Sequence, residues 1–453
     1  MVCRVIFMVG LLALTLLSPV NARTQHVLTV ASNPTLALSN DEVDEILTQM
    51  NATMATSKYS PWDVPCDVKL VRNGDVIQSN QLPLQGDYNS LISSLHKIAP
   101  SANVLVVSGI DCSGIVAAGC GLIGGEPLVV GQYQGYDSQL WLHERGHNVG
   151  LQHSAEAPAG ESTVPQNVGM RFMFWQLGIG HVGKIASECD KYQQPSTHLA
   201  SVVQVQAPAV PPAPAPAAAT LAPSEELATA ARSAGLTPKA YEVVGPPWVH
   251  GMPLGLIKQL SQEDIQSIRS MLSTGVPNPA WPQAIDALAV VGTAEDVKLV
   301  QRALNLPVAA VGPGASKESV AEFRNLLRLK LSAPIALGII ANRTQSESAV
   351  ETLSQIAQVE NATKLVGEGA ANALSKSALN GLAVANTPAA AMFLNSTLGI
   401  GPVPGPQIPQ PNNPPLPGAV APLSPEEVER TKTTVEDVKQ MGIERFLTRT
   451  PNQ

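Results

Sequence analysis

The sequence predicts two architectures in one chain: an α+β domain with a twisted, mixed sheet over residues 23–201, then an all-α region over residues 224–400. Three observations carry this. Strand-like and helix-like patterns alternate up to about residue 200, and only helical patterns follow. Between the two, "QAPAVPPAPAPAAATLAPS" has the Pro-Ala bias of an extended linker, placed at 202–223. Cys66, Cys112, Cys120 and Cys189 all precede residue 190, so any covalent stapling belongs to the first region. A chain of 453 residues also exceeds one ordinary core and favours two or three domains.

In the first region "QHVLTVAS" reads as a strand. Ser39, a candidate N-cap with Glu42 three residues on, opens a helix whose Val43, Ile46, Leu47, Met50 and Met54 fall at helical spacing. "DVKLVRNGDVIQ" predicts a hairpin turning at Asn73-Gly74, "YNSLISSLHKI" a second helix, and "NVLVVSGID" a buried strand. After the Gly-rich "GCGLIGG" comes another strand in "GEPLVVGQYQ", and then a helix in "LWLHERGHNVGLQHS".

Beyond the linker, segments starting at Ala287, Ala336 and Gly381 resemble one another, each a helix, a break at Gly292, Asn342 or Asn386, and a second helix. Aligned on Leu288, Leu337 and Leu382 they lie 49 and 45 residues apart, close to the ~40–47 of HEAT-type repeats. An α-solenoid and an irregular helical bundle both fit this pattern. Residues 401–453 are a Pro-rich stretch and a last helix with Ser424, Pro425 and Glu427 as its start signals.

A net charge of −8 argues against a nucleic-acid partner, which requires a basic face. Residues 1–22 carry Arg4, an apolar run from Val5 to Leu17 and a small-residue end at Ala22, which predicts a cleaved signal peptide and a secreted or periplasmic protein. No later segment is long and apolar enough to span a membrane, so no transmembrane anchor is expected after cleavage. In an oxidising compartment four cysteines allow three pairings; Cys112 with Cys120 and Cys66 with Cys189 is the preferred set.

The chemistry concentrates between His143 and His153. On a helix His143 and His147 project from one face and can share an ion, and Glu144 beside them can reach water on that ion without ligating it. Gly150 permits the left-handed turn that ends a helix and brings His153 in as a third ligand. Three imidazoles leave a fourth tetrahedral position open, the arrangement of a catalytic zinc site, and Glu144 is the candidate base. With this composition the five fixed positions coincide by chance with a probability on the order of 10⁻⁵.

"HERGHNVGLQH" matches HExxHxxGxxH at every fixed position and so resembles the metzincin zinc metallopeptidases, in particular secreted microbial members whose Met-turn is similar to "RFMFW". The resemblance covers about residues 26–200. It implies one catalytic Zn2+ on His143, His147 and His153, a structural Met-turn at Met173 (with Met170 as the other choice), and a protein or peptide substrate bound in extended form. It also implies an antiparallel edge strand for that substrate, expected near Leu128–Gln134. Trp175 or Phe172 stands where some members have a ligating tyrosine, so three histidines are the expected set. Arg145, at a position more often apolar, points to a salt bridge near the site, and the short span after Ala22 to no long N-terminal inhibitory segment. The expected function is thus an exported zinc metalloendopeptidase whose helical region binds a protein partner or surface. The rival is a non-proteolytic zinc-binding interaction or adhesion protein whose helical repeats carry the function.

Overall fold

The structure is a computed structural model that describes residues 23–59, 61–112, 116–154, 171–174, 182–193, 202–205, 223–248, 252–275, 278–308, 311–312, 314–399 and 419–448. Residues 1–22, expected to be a signal peptide, most of the expected linker and the Pro-rich 401–418 lie outside these residues, as do Met170, Trp175, His181, His198 and His250.

The first region runs β1 (Arg23–Leu28), β2 (Val30–Ser32), α1 (Asn40–Ala55), β3 (Val68–Arg72), β4 (Ile77–Gln78), β5 (Gln85–Asp87), α2 (Tyr88–Ile98), β6 (Val104–Val107), β7 (Gly109–Asp111), β8 (Val116–Ala117), β9 (Gly119–Gly121), β10 (Leu128–Gly131), α3 (Asp137–Asn148), α4 (Ala186–Gln193) and β11 (Val202–Val205). Its main sheet has the order β4-β2-β6-β10-β9, with the first four strands parallel and β9 antiparallel at the edge.

Every side chain of β6 is buried, as expected of a parallel strand covered on both faces. Val104 and Val106 face the core that holds α1 and α3, and Leu105 and Val107 face the core that holds α2. β10 is equally buried and lies inside the sheet. The antiparallel edge is therefore "GCG" at β9, not the strand at Leu128–Gln134. An all-apolar "LVVG" suits the interior, whereas a Gly-rich strand has little side chain to bury.

The expected hairpin does not form. β3 pairs with β1 in one sheet and β4 with β2 in another. The turn at Gly74 (φ 66°) carries the chain across the break at Thr29, where the Asn73 N–H donates to Leu28 O at 2.9 Å. A tertiary partner outcompeted the local one.

The first residues of the span read as linker form β11, antiparallel to β1. Then follow α5 (Pro223–Ala234), α6 (Pro238–Val244), α7 (Leu254–Ile257), α8 (Gln262–Ser273), α9 (Trp281–Val291), α10 (Val297–Leu304), α11 (Lys317–Thr344), α12 (Glu347–Ile356), α13 (Val359–Val366), α14 (Glu368–Ala385), α15 (Pro388–Leu398) and α16 (Pro425–Thr448). α9, α11 and α14 pack side by side, and α10, α12 and α15 form a second row. The helix breaks fall at Gly292, Gln345 and Asn386. Asn342, read as a break, lies inside α11 and donates to the carbonyls of Val384 and Ala385 at the end of α14. α11 and α14 cross with Gly338 and Gly381 in contact, where a Cβ on either would overlap the other helix's backbone.

The helical region packs directly against the sheet, and one continuous core runs through both. Arg324 and Arg328, one turn apart on α11, supply the polar fastening. Arg324 donates to Leu36 O (2.6 Å) and Ala37 O (3.0 Å) and pairs with Glu42. Ser39 does cap α1, accepting from Glu42 N at 3.2 Å, but the Glu42 carboxylate turns to this guanidinium. Arg328 donates to Gln132 O and stacks over Tyr133, 3.8 Å from the ring centre.

Candidate metal centre

α3 is mean-hydrophilic in sequence, yet Leu140 through Asn148 are all buried. Its charged Arg145 meets defined partners, which lowers the cost of that burial. The fully buried Arg145 pairs with Glu126 (2.7 Å) and donates to His26 Nδ1 (3.1 Å), and His26 Nε2 donates to Tyr192 O (3.0 Å). These bonds tie α3 to β1, to α4 and to the loop before β10. Cys66 and Cys189 lie at disulfide distance (Cα–Cα 5.1 Å), anchoring α4 to the chain ahead of β3, and Cys112 and Cys120 do the same across the β7–β9 segment (6.5 Å).

The helix ends in a left-handed turn. Gly150 has φ 88°; its N–H donates to His147 O (2.8 Å), and Leu151 N donates to Gly146 O (2.9 Å). This Schellman arrangement reverses the chain within one turn and brings His153 back to the helix. The rings of His143, His147 and His153 then sit 4.9, 5.2 and 4.9 Å apart, with candidate ligand atoms all within 4.8 Å of one another.

Two of the rings are oriented by carbonyls. His143 Nδ1 donates to Phe172 O and His147 Nδ1 to Leu151 O, both at 2.8 Å. That tautomer puts the lone pair on Nε2. Burial, reinforced by the neighbouring histidines, holds His143 well below the usual histidine range; burial also lowers His147 and, with His147 beside it, takes His153 to about 3. Three converging neutral imidazoles are a donor set able to hold a metal ion, the one such group among the described residues.

Met173 is fully buried beneath α3. A Cβ on Gly146 would overlap its sulfur, so glycine here is what lets the Arg171–Phe174 turn approach the helix. The same turn orients His143 through Phe172 O and holds Ser154, next to His153, through Met173 O (2.8 Å).

Glu144 is fully buried between α3 and β9. Burial pushes its carboxyl well above the usual range, and a hydrogen bond from the Gly121 backbone opposes that rise. Cβ atoms on Gly119 or Gly121 would overlap Glu144, so the edge strand must be bare on that side. Sequence reasoning missed Gly119, Gly121, Gly146 and the Phe172 and Leu151 carbonyls. The alternate glycines of "GCG" are the signal that could have exposed the first two, since residues two apart in a strand share a face. His96 is exposed on α2, and no helix among the described residues is long and apolar enough to cross a membrane.

Compared with protein-family models, curated proteins and solved structures, the chain matches none of them.

Proposed function

We propose that this chain is an exported zinc-dependent metalloendopeptidase of metzincin type. The observation that carries the reading is the convergence of three neutral histidines next to Glu144 at the antiparallel edge of a mixed sheet. His143, His147 and His153 would hold the ion. Zinc supplies Lewis acidity there, lowering the pKa of water toward about 7 and polarising a carbonyl. Glu144 takes a proton from the attacking water and returns it to the amide nitrogen as the C–N bond breaks. Its dry surroundings make the carboxylate a better proton acceptor.

β9 offers its outer edge for backbone pairing with an extended peptide. The disulfide-distance cysteines fit an oxidising compartment, in keeping with export. Glu144→Ala should bind as much metal as wild type and lose cleavage of a denatured protein by about 10²–10⁴-fold. Equal cleavage by the two proteins, or none by fully loaded wild type, would reject the enzyme and leave the adhesion reading.

A further inference from the structure

A cavity of about 530 Å³ lies between the sheet and the helices, within the size range of small-molecule sites. β5, β7 and Tyr133 form its sheet side; α9, α11, α14 and α16 supply much of the remaining wall, and none of the residues of the metal centre borders it. Met252, Ile335, Ile339 and Phe446 give it apolar surface.

Its charges are unevenly satisfied. Asp87 with Arg430, and Lys376 with Glu427 (2.8 Å), are paired where α16 crosses the cavity. On α9, Gln283 and Asp286 stand three residues apart on one face and both border the cavity, at 6% and 4% exposure. Gln283 Oε1 and Arg328 Nε have no hydrogen-bond partner, and Asp286 has neither hydrogen bond nor ion pair among the described residues. Burial alone pushes the Asp286 carboxyl up to about 8. Alone in the cavity wall the group stays mostly protonated near neutral pH, and a cation entering the cavity would let it ionise and pair, so it marks a place for a cation from outside. Of the lining carboxylates Asp87 and Glu427 are ion-paired and Asp111 is also engaged, which leaves Asp286 alone, too few for a bare metal ion, and the apolar walls call for a hydrocarbon body.

We propose that this cavity binds a small apolar molecule bearing a protonated amine, its ammonium held by Asp286 and Gln283 and an acceptor atom of the ligand held by Arg328 Nε. The site is independent of the metal centre, and its failure would not bear on the peptidase reading.

L-Phenylalaninol carries an apolar ring, an ammonium and a hydroxyl, and N-acetyl-L-phenylalaninol replaces the ammonium with a neutral, bulkier amide. Calorimetric titration of the full-length protein should show the amine binding at least about tenfold tighter than its acetylated form. Asp286→Asn should erase that preference, and Ile335→Trp, which fills the cavity, should abolish binding of both. The proposal is overturned if neither compound binds, if wild type prefers neither, if folded Asp286→Asn keeps the preference, or if amine binding survives Ile335→Trp.

Discussion

At the candidate metal centre Arg145 is fully buried and holds both Glu126 and His26; in the cavity wall Asp286, almost as deeply buried, has no partner among the described residues. The first kind of burial orients a site, because each hydrogen bond locks one element against another. The second leaves a carboxyl that stays protonated near neutral pH until a cation reaches it. A buried ionisable group therefore has two signatures, and whether its partner is internal separates a support from a binding position.

The first test of that contrast removes a partnered charge. Arg145→Met strands Glu126 and His26 and should destabilise by about 3–5 kcal/mol in urea unfolding. A loss below about 1 kcal/mol would mean that the network is ornamental. Asp286→Asn should move stability the other way. The folded-state value of about 8 lies above the ordinary 3.8, so the cost of burying Asp286 is nil below about pH 4, grows between about pH 4 and 8, and levels off above. Asparagine does not titrate, and the variant should gain on the order of 5 kcal/mol by pH 9 and nothing at pH 4. A gain at pH 4 as large as that at pH 9 would contradict this.

His26 sharpens the comparison from the acid side. Burial, with Arg145 second, takes it from 6.5 to about 3. Its contribution is present in full above about pH 6.5 and is lost as pH falls toward 3, amounting to about 2 kcal/mol at pH 5. His26→Gln should flatten that part of the stability profile, and an unchanged slope between pH 6.5 and 4 would exclude His26 as its source. The smallest effect is expected at the turn: Gly150→Ala, at φ 88°, should cost about 1 kcal/mol and weaken metal retention through His153. Full retention against a chelator would show that the turn does not set the third ligand.

Much of the centre was legible in advance because its geometry is local. Spacing of four residues puts His143 and His147 on one face wherever that helix forms, and Gly150 supplies the conformation that returns His153. The same locality made Ser39 readable as a cap and Val104–Val107 as a buried strand. Where two partners competed, local reading failed. Asn73-Gly74 signals a hairpin, but β3 and β4 found better neighbours in β1 and β2; Glu42 had a cap to complete, but Arg324 offered a full charge.

By itself the sequence determined the candidate ligand set, the candidate base, the turn between them and a stretch of helices beyond residue 223, since these depend on helix pitch and on glycine's freedom over a few residues. Only the tertiary structure decided that β9 is the antiparallel edge, that bare glycines wall Glu144, that Phe172 orients His143, and that α11 docks its arginines on the sheet. It alone brought Tyr133, Asp286, Arg328 and Arg430 to one cavity. Such contacts join residues up to hundreds of positions apart, and which of them form is settled by competition for burial and hydrogen-bond partners across the whole chain, not by any spacing within it.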